Sequence, residues 1–294
     1  MPIVSSLLRT LILSSIALLI FVLVTSHAQQ ENDPIDLTAA LKAGTVSVKA
    51  VSNGKYSGNA VVFNLTNLTG KTQSVLIPAG TLYHPSDEEE QTLIQLEDQL
   101  IVLQGKETKR QLIAGFCSES SDRCPSEEKA FKLGKTSDAK LTKLIAYLKT
   151  NKTDKATYQE AVWAITDAHS ISSIYSDKTD VRDFRTFMAG LTGQKDTWFS
   201  SPQEYSLDSR GNINRETVRI SGELTFDSDG ESPIHQELCD AEGKVLFTSN
   251  SSTPRKSKDV KMSFSIRVQG WEKGNYYVKI MDGTKELKRF DFVV

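Results

Sequence analysis

The sequence predicts a mainly β protein with a helical segment in its middle (α+β): an N-terminal immunoglobulin-like β-sandwich with about three short helices, then a C-terminal immunoglobulin-like β-sandwich. Three observations predict this. From residue 45 to 116, and again from 215 to the end, short stretches rich in Val, Ile, Leu and Thr are broken by Asn, Gly, Pro or Lys, the pattern of short antiparallel strands. Between these regions the apolar spacing changes from two to that of a helix. The helical region runs into a polar stretch, 194–214, with Pro202, Gly211 and no sustained period, which reads as a linker.

The first β region contains TVSVKAVS, NAVVFNLTNL, TQSVLIPAGTLY, QLIVLQ and TKRQLIAGFC. Val46, Val48 and Ala50 oppose Ser47 and Lys49, while Val61, Phe63 and Leu65 oppose Val62 and Asn64, so each strand has one face for a core. A first helix follows from Leu141, Leu144, Ile145 and Leu148, with Ser137 and Asp138 ahead of it as start signals. A second is expected near Thr157, where TYQE has the form of a capping box between Thr157 and Glu160. A third carries Val181, Phe184, Met188 and Leu191 on one stripe and stops at Gly193. Trp198 and Phe199 are expected to pin the start of the linker to the preceding domain. In the last region DSDG (227–230), DAEG (240–243) and DG (282–283) read as hairpin turns. The expected units are therefore 36–193, a linker at 194–214, and 215–294.

The first 28 residues combine an early cation, Arg9, an apolar run from Leu11 to Val24, and small residues Ser26 and Ala28, the form of a cleavable export signal. That run is short of the roughly 20 apolar residues needed to span a bilayer, so no membrane span is expected after signal removal. Removal takes away one cation and no acid, leaving a chain slightly more negative than the full-length net charge of −2. Such a balance argues against a nucleic-acid or anionic-membrane surface. The runs DEEE (87–90) and RKSKD (255–259) read as solvated loops.

An exported chain with three cysteines has an odd count. Cys117 and Cys124 lie seven apart in a polar loop, where a disulfide is the default of an oxidising compartment; Cys239 is then a buried, inert thiol. The helical run ATYQEAVWAITD adds a second option for Cys117. On that helix Tyr158, Ala161, Val162 and Ile165 share the buried face, and Gln159 lies at its edge, one turn from Trp163.

Phe116-Cys117 together with Tyr158-Gln159-Glu160-Ala161-Val162-Trp163 resembles the thioester domains of bacterial surface proteins, with Tyr158 standing where that family has threonine. The resemblance, over about residues 112–167, implies that the Cys117 thiol condenses with the Gln159 side chain and expels ammonia, leaving an acyl group that a surface amine captures. Trp163 and Tyr158 would shield the bond, since such a bond survives only where water is excluded. The alternative is a Cys117–Cys124 disulfide, with Gln159 and Trp163 packing between helix and sandwich. A second resemblance covers roughly the last 65 residues. LCDAEGKVLF, the strand with Gly274 and Tyr276, and the terminal strand preceded by Lys288 and Arg289 are similar to the C-terminal sorting domains of the type IX secretion system of Bacteroidetes.

These resemblances imply an exported bacterial binding module of the cell surface or secreted fraction, or of the periplasm, whose partner is a protein or glycan surface ligand. No enzyme activity and no cofactor is expected. His84, His169 and His235 lie in separate segments without metal-ligand spacing. DAHS (167–170) is not expected to supply a Ser/His/Asp relay.

Overall fold

The computed structural model describes residues 33–294; the export-signal expectation for residues 1–28 lies outside them. The fold is mainly β with a helical segment, as the strand and helix patterns predict. In chain order the first half contains β1 (Ile35–Asp36), α1 (Leu37–Lys42), β2 (Val46–Ser52), β3 (Val61–Asn67), β4 (Gln73–Ile77), β5 (Thr81–His84), β6 (Leu93–Ile94), β7 (Gln99–Leu103), β8 (Thr108–Ile113), β9 (Phe116–Cys117) and β10 (Lys132–Lys135). They pair as three sheets, in the orders β2-β3-β8, β1-β4-β7 and β10-β5-β6-β9. The inward residues of β2 and β3, among them Val46, Ala50, Phe63 and Leu65, meet Val75, Ile77, Ile101 and Leu103 from the second sheet and Tyr83 and Leu93 from the third.

Three helices follow: α2 (Ala139–Thr150), α3 (Tyr158–Thr166) and α4 (Arg182–Thr192). Asp138 starts α2 by accepting from the Leu141 amide at 2.8 Å. Gly193, at φ +79°, ends α4, a left-handed turn that glycine adopts without strain. The start of α3 differs from expectation. Thr157 makes no side-chain cap; its hydroxyl donates to the Asp154 carbonyl within a short 3-10 turn. Glu160 turns instead to the distant Tyr205. A local capping box lost to a tertiary contact.

Every residue of α3 from Tyr158 to Ala164 is buried. Trp163 enters the core between the three N-terminal sheets, while Tyr158, Ala161, Val162 and Ala164 face a second core with Leu144, Phe184, Met188 and Phe116. A helix buried all round is an internal strut, its stability supplied by packing on both sides.

The polar stretch 194–214 is folded, against the expectation of a linker. It contains β11 (Phe199–Ser200), β12 (Gln203–Leu207) and the start of β13 (Ile213–Thr217), and β12 pairs with β13 as a hairpin. Asp208 closes the turn by accepting from the amides of Arg210 and Asn212. Tyr205 and Ile213 pack against the N-terminal core. Trp198 and Phe199 go the other way: the indole lies against Phe264 and Phe290, its nitrogen donates to the Asp291 carbonyl at 2.8 Å, and Phe199 joins the C-terminal core. They are pinned to the following domain, where aromatic rings pack edge-on around the indole.

The last region holds β14 (Arg219–Ser228), β15 (Ile234–Asp240), β16 (Val245–Thr248), β17 (Ser257–Arg267), β18 (Asn275–Asp282) and β19 (Lys285–Val293). Sheets β11-β14-β17 and β16-β15-β18-β19 enclose Ile220, Leu224, Phe264, Val278, Ile280 and Phe292. DAEG and DG join paired strands as hairpins. DSDG instead carries the chain from one sheet to the other, because β14 and β15 are not neighbours; the turn residues fix a reversal but not what pairs after it. Two further readings change. Glu90, in the acidic run, is buried and accepts from the Ser126 hydroxyl, and Ser257–Asp259 begin β17 instead of forming a loop.

Gly222 lies opposite Phe199 across the β11–β14 pair, and a Cβ there would sit 2.3 Å from the Trp198 carbonyl oxygen. Gly222→Ala must therefore push the Trp198 segment off the second sandwich, lowering unfolding free energy by about 1–3 kcal/mol. Urea denaturation of the full chain reads this, and an unchanged midpoint would contradict the close approach.

Candidate functional site

The site begins with Gln159 on the first turn of α3. Its carboxamide lies against the main chain of Cys117 on β9: Oε1 accepts from the Cys117 amide at 3.1 Å and Nε2 donates to the Cys117 carbonyl at 2.8 Å. The sequence reading joined these two residues, and the fold brings them together out of solvent, Gln159 at 5% exposure and Cys117 at 0%. What meets the carboxamide is the backbone of the cysteine. Both amide atoms of Gln159 are occupied, and the pair extends the β6–β9 edge by one side-chain rung. The Cys117 amide also reaches the Tyr56 carbonyl at 3.0 Å.

Cys117, Cys124 and Cys239 are free and buried, so the expected Cys117–Cys124 bridge is not formed in this structure. Burial pushes the Cys117 thiol well up from its ordinary value, with Cys124, Glu119 and Asp167 adding to the effect. The Cys124 thiol is pushed up to about 11, mainly by burial and then by Glu90. Both sulfurs are thus held as neutral thiols, the less nucleophilic form.

The expected shielding residues stand on opposite sides of α3. Trp163 is fully buried, with Tyr56 stacked on it at 6.1 Å and Tyr205 tilted against it at 5.4 Å. Tyr158 meets Phe116 edge-on at 5.5 Å, and its hydroxyl donates to Glu97 at 3.1 Å.

A cluster at the far end of α3 was not expected. Asp167 caps the helix and Ala168 turns at φ +55°, which brings Asp167 and His169 to one serine. The Ser120 hydroxyl lies 3.0 Å from Asp167 Oδ1 and 3.0 Å from His169 Nε2. A carboxylate only accepts, so the serine proton goes to Asp167 and the imidazole donates from Nε2. His169 Nδ1 is buried without a partner among the described residues. In a catalytic relay the acid holds the imidazole; here it holds the serine. Residues 167–170 gave no signal for this, because Ser120 lies nearly fifty positions away.

Around Gln159 opens a cleft of about 750 Å³, within the range of small-ligand sites. Its inner wall is Gln159 and Glu160 of α3 with Tyr56 and Tyr205; its outer wall is Tyr175 with Arg219 and Arg267 at the ends of β14 and β17. Tyr205 donates to Glu160 Oε1, whereas Glu160 Oε2 is buried without a partner among the described residues. Burial raises the Glu160 carboxyl above its usual range, opposed by the nearby Ser173 and Tyr205 hydroxyls and the charge of Arg215. A second crevice of about 810 Å³ lies beside Trp271 and Phe292, but no buried polar atom lacking a partner among the described residues lines it.

The four residues likened to a sorting domain lie in the second sandwich. Gly274 and Val294 exchange backbone bonds. The Tyr276 ring stacks on Phe292 at 5.8 Å. Lys288 donates to the Thr225 carbonyl at 2.6 Å, and the Arg289 guanidinium lies 3.5 Å over the Tyr277 ring. These contacts brace the terminal strand. Among the described residues there is no cluster of His, Cys, Asp and Glu that could hold a metal ion, and no helix is long and apolar enough to cross a membrane.

Gln159→Leu keeps the volume but removes the donor to the Cys117 carbonyl, so stability should fall by about 1–3 kcal/mol in urea denaturation; a midpoint equal to that of the parent would refute the clamp. His169 is pulled down to about 4, first by burial and then by Arg215, with Asp167 opposing. The unfolded imidazole takes its proton near pH 6.5 and the folded one only near 4, so this residue costs stability as pH falls from about 6.5 to 4. In an NMR titration its ring should titrate near pH 4, and the parent-minus-His169→Gln stability difference should fall with pH across that window. A ring midpoint near 6.5 would rule this out.

Against known proteins, no family model matches the chain, and no curated protein or solved structure matches it either.

Proposed function

We propose that this chain is an exported bacterial binding module of the cell envelope or secreted fraction, acting without catalysis and without covalent chemistry through the cleft beside α3. The observation that carries the reading is the cleft's composition. Tyrosine faces, two arginines and a buried carboxyl with a free oxygen converge on one concave surface, the mixture of apolar area and a few placed polar groups that orients a ligand. In this reading Gln159 is structural: it fixes α3 to β9 and so holds Glu160 at the cleft wall. Export is supported by the N-terminal signal form, and sorting to the surface by the likeness of the last 65 or so residues to type IX domains.

One observation favours a covalent reading beside it. Gln159 Oε1 is polarised by the amide of the same residue that carries the thiol. Bond formation between Cys117 Sγ and Gln159 Cδ would break the Cδ–Nε2 bond, and the thiol proton would leave with the nitrogen as ammonia. The neutral, deeply buried thiol weighs against that step, because the thiolate is the nucleophile.

Two measurements separate these readings. Intact mass of the folded protein should equal the sum of its residues; a deficit of one ammonia that disappears in Cys117→Ala would establish the covalent form. Mixed with washed envelope fragments from a bacterium with a type IX system, the protein should cosediment and be released by urea with its mass unchanged. Failure to cosediment would sink the binding-module reading.

A further inference from the structure

We propose that the cleft beside α3 recognises a carboxylate-bearing saccharide, with Arg219 and Arg267 taking the carboxylate and Glu160 a sugar hydroxyl. The inference rests on the binding-module reading and names its ligand.

The anion site follows from strand register. Arg219 and Arg267 are directly opposed on the antiparallel pair β14–β17, and like charges across a strand pair destabilise it. Both line the cleft. Arg219 Nε is buried with no partner among the described residues, and the nearest carboxylate, Asp177, is 3.7 Å from the guanidinium on a side chain 80% exposed. Arg267 donates to the neutral amide of Gln269. Two arginines at opposed strand positions, each with N–H groups beyond those bonded to Tyr175 and Gln269, offer a seat for one planar carboxylate.

The neutral part of the ligand follows from the inner wall. Glu160 is buried and lines the cleft, and its Oε2 has no partner among the described residues. A buried acceptor without a donor costs free energy that a ligand hydroxyl would recover. Tyr175 is braced by Arg219, whose guanidinium donates to its hydroxyl at 2.7 Å and lies 5.5 Å from the ring centre. Tyr56 and Tyr205 lie 5.6 Å apart and tilted. Aromatic faces cover the apolar face of a sugar ring while the polar groups take its hydroxyls.

The test is calorimetric titration of the folded protein with trigalacturonic acid, with galactotriose as the neutral match and a short polyglutamate peptide as a second carboxylate source. The acid trimer should bind and weaken with added salt. The neutral trimer should bind at least about tenfold more weakly, and Arg219→Gln with Arg267→Gln should remove that preference, each lost ionic contact costing about tenfold. Glu160→Gln, which keeps shape but loses an acceptor, should weaken both sugars alike. Equal binding of acid and neutral trimers overturns the role of the arginines, and preference for polyglutamate overturns the saccharide. If no trimer binds while cosedimentation with envelope fragments persists, this inference fails and the binding-module reading stands; loss of both removes both.

Discussion

A helix buried on every side must settle its polar side chains inside the protein, and α3 does so twice. Gln159 gives both amide atoms to the Cys117 main chain, and Glu160 accepts from Tyr205. An unpaired amide or carboxyl at this depth would cost more than most single contacts contribute. These three bonds therefore fix the position of α3 relative to the β9 strand on one side and the β12–β13 hairpin on the other. The placement of Trp163 in the sandwich core and of the cleft walls depends on that fixation.

The hairpin has a matching role between the two halves. Tyr205 and Ile213 reach the first core, while Phe199, a few residues earlier, reaches the second. A stretch that is polar in sequence thus carries anchors to both halves, first to the C-terminal core and then to the N-terminal one. Gly222 admits the chain at its closest point, and Trp198 closes the aromatic cluster above it. The cleft lies at this junction, lined from α3, the hairpin and the strand ends of the second sandwich.

The chemistry of the buried groups is conservative. Thiols are held neutral by burial, His169 is held uncharged, and the Ser120–Asp167–His169 contacts run from acid to serine. These arrangements pair most of those polar atoms, leaving His169 Nδ1 without a partner among the described residues. Glu160 and Arg219 line one cleft, and each carries a buried atom without a partner among the described residues.

The sequence by itself determined the mainly β class, most strands and the three larger helices; a meeting of Gln159 with Cys117 was one of two options for that cysteine, implied by a resemblance. Each rests on information that is local or periodic: alternation in Val46–Ser52, the stripe of Leu141, Leu144 and Ile145, the glycine stop at 193. Only the tertiary structure decided which atoms of Cys117 meet the carboxamide, because residue types say nothing of side-chain direction on a two-residue strand. It also decided that Glu160 abandons a capping box for Tyr205, that Trp198 packs forward, and that 203–217 is a hairpin. For Glu160 a contact 45 residues away outweighed a local cap worth about 1 kcal/mol; Trp198 is placed by residues some ninety positions on, and the hairpin by pairing that its polar composition hid. The cleft was invisible for the same reason: strand pairing alone sets Arg219 opposite Arg267, and no spacing along the chain encodes it.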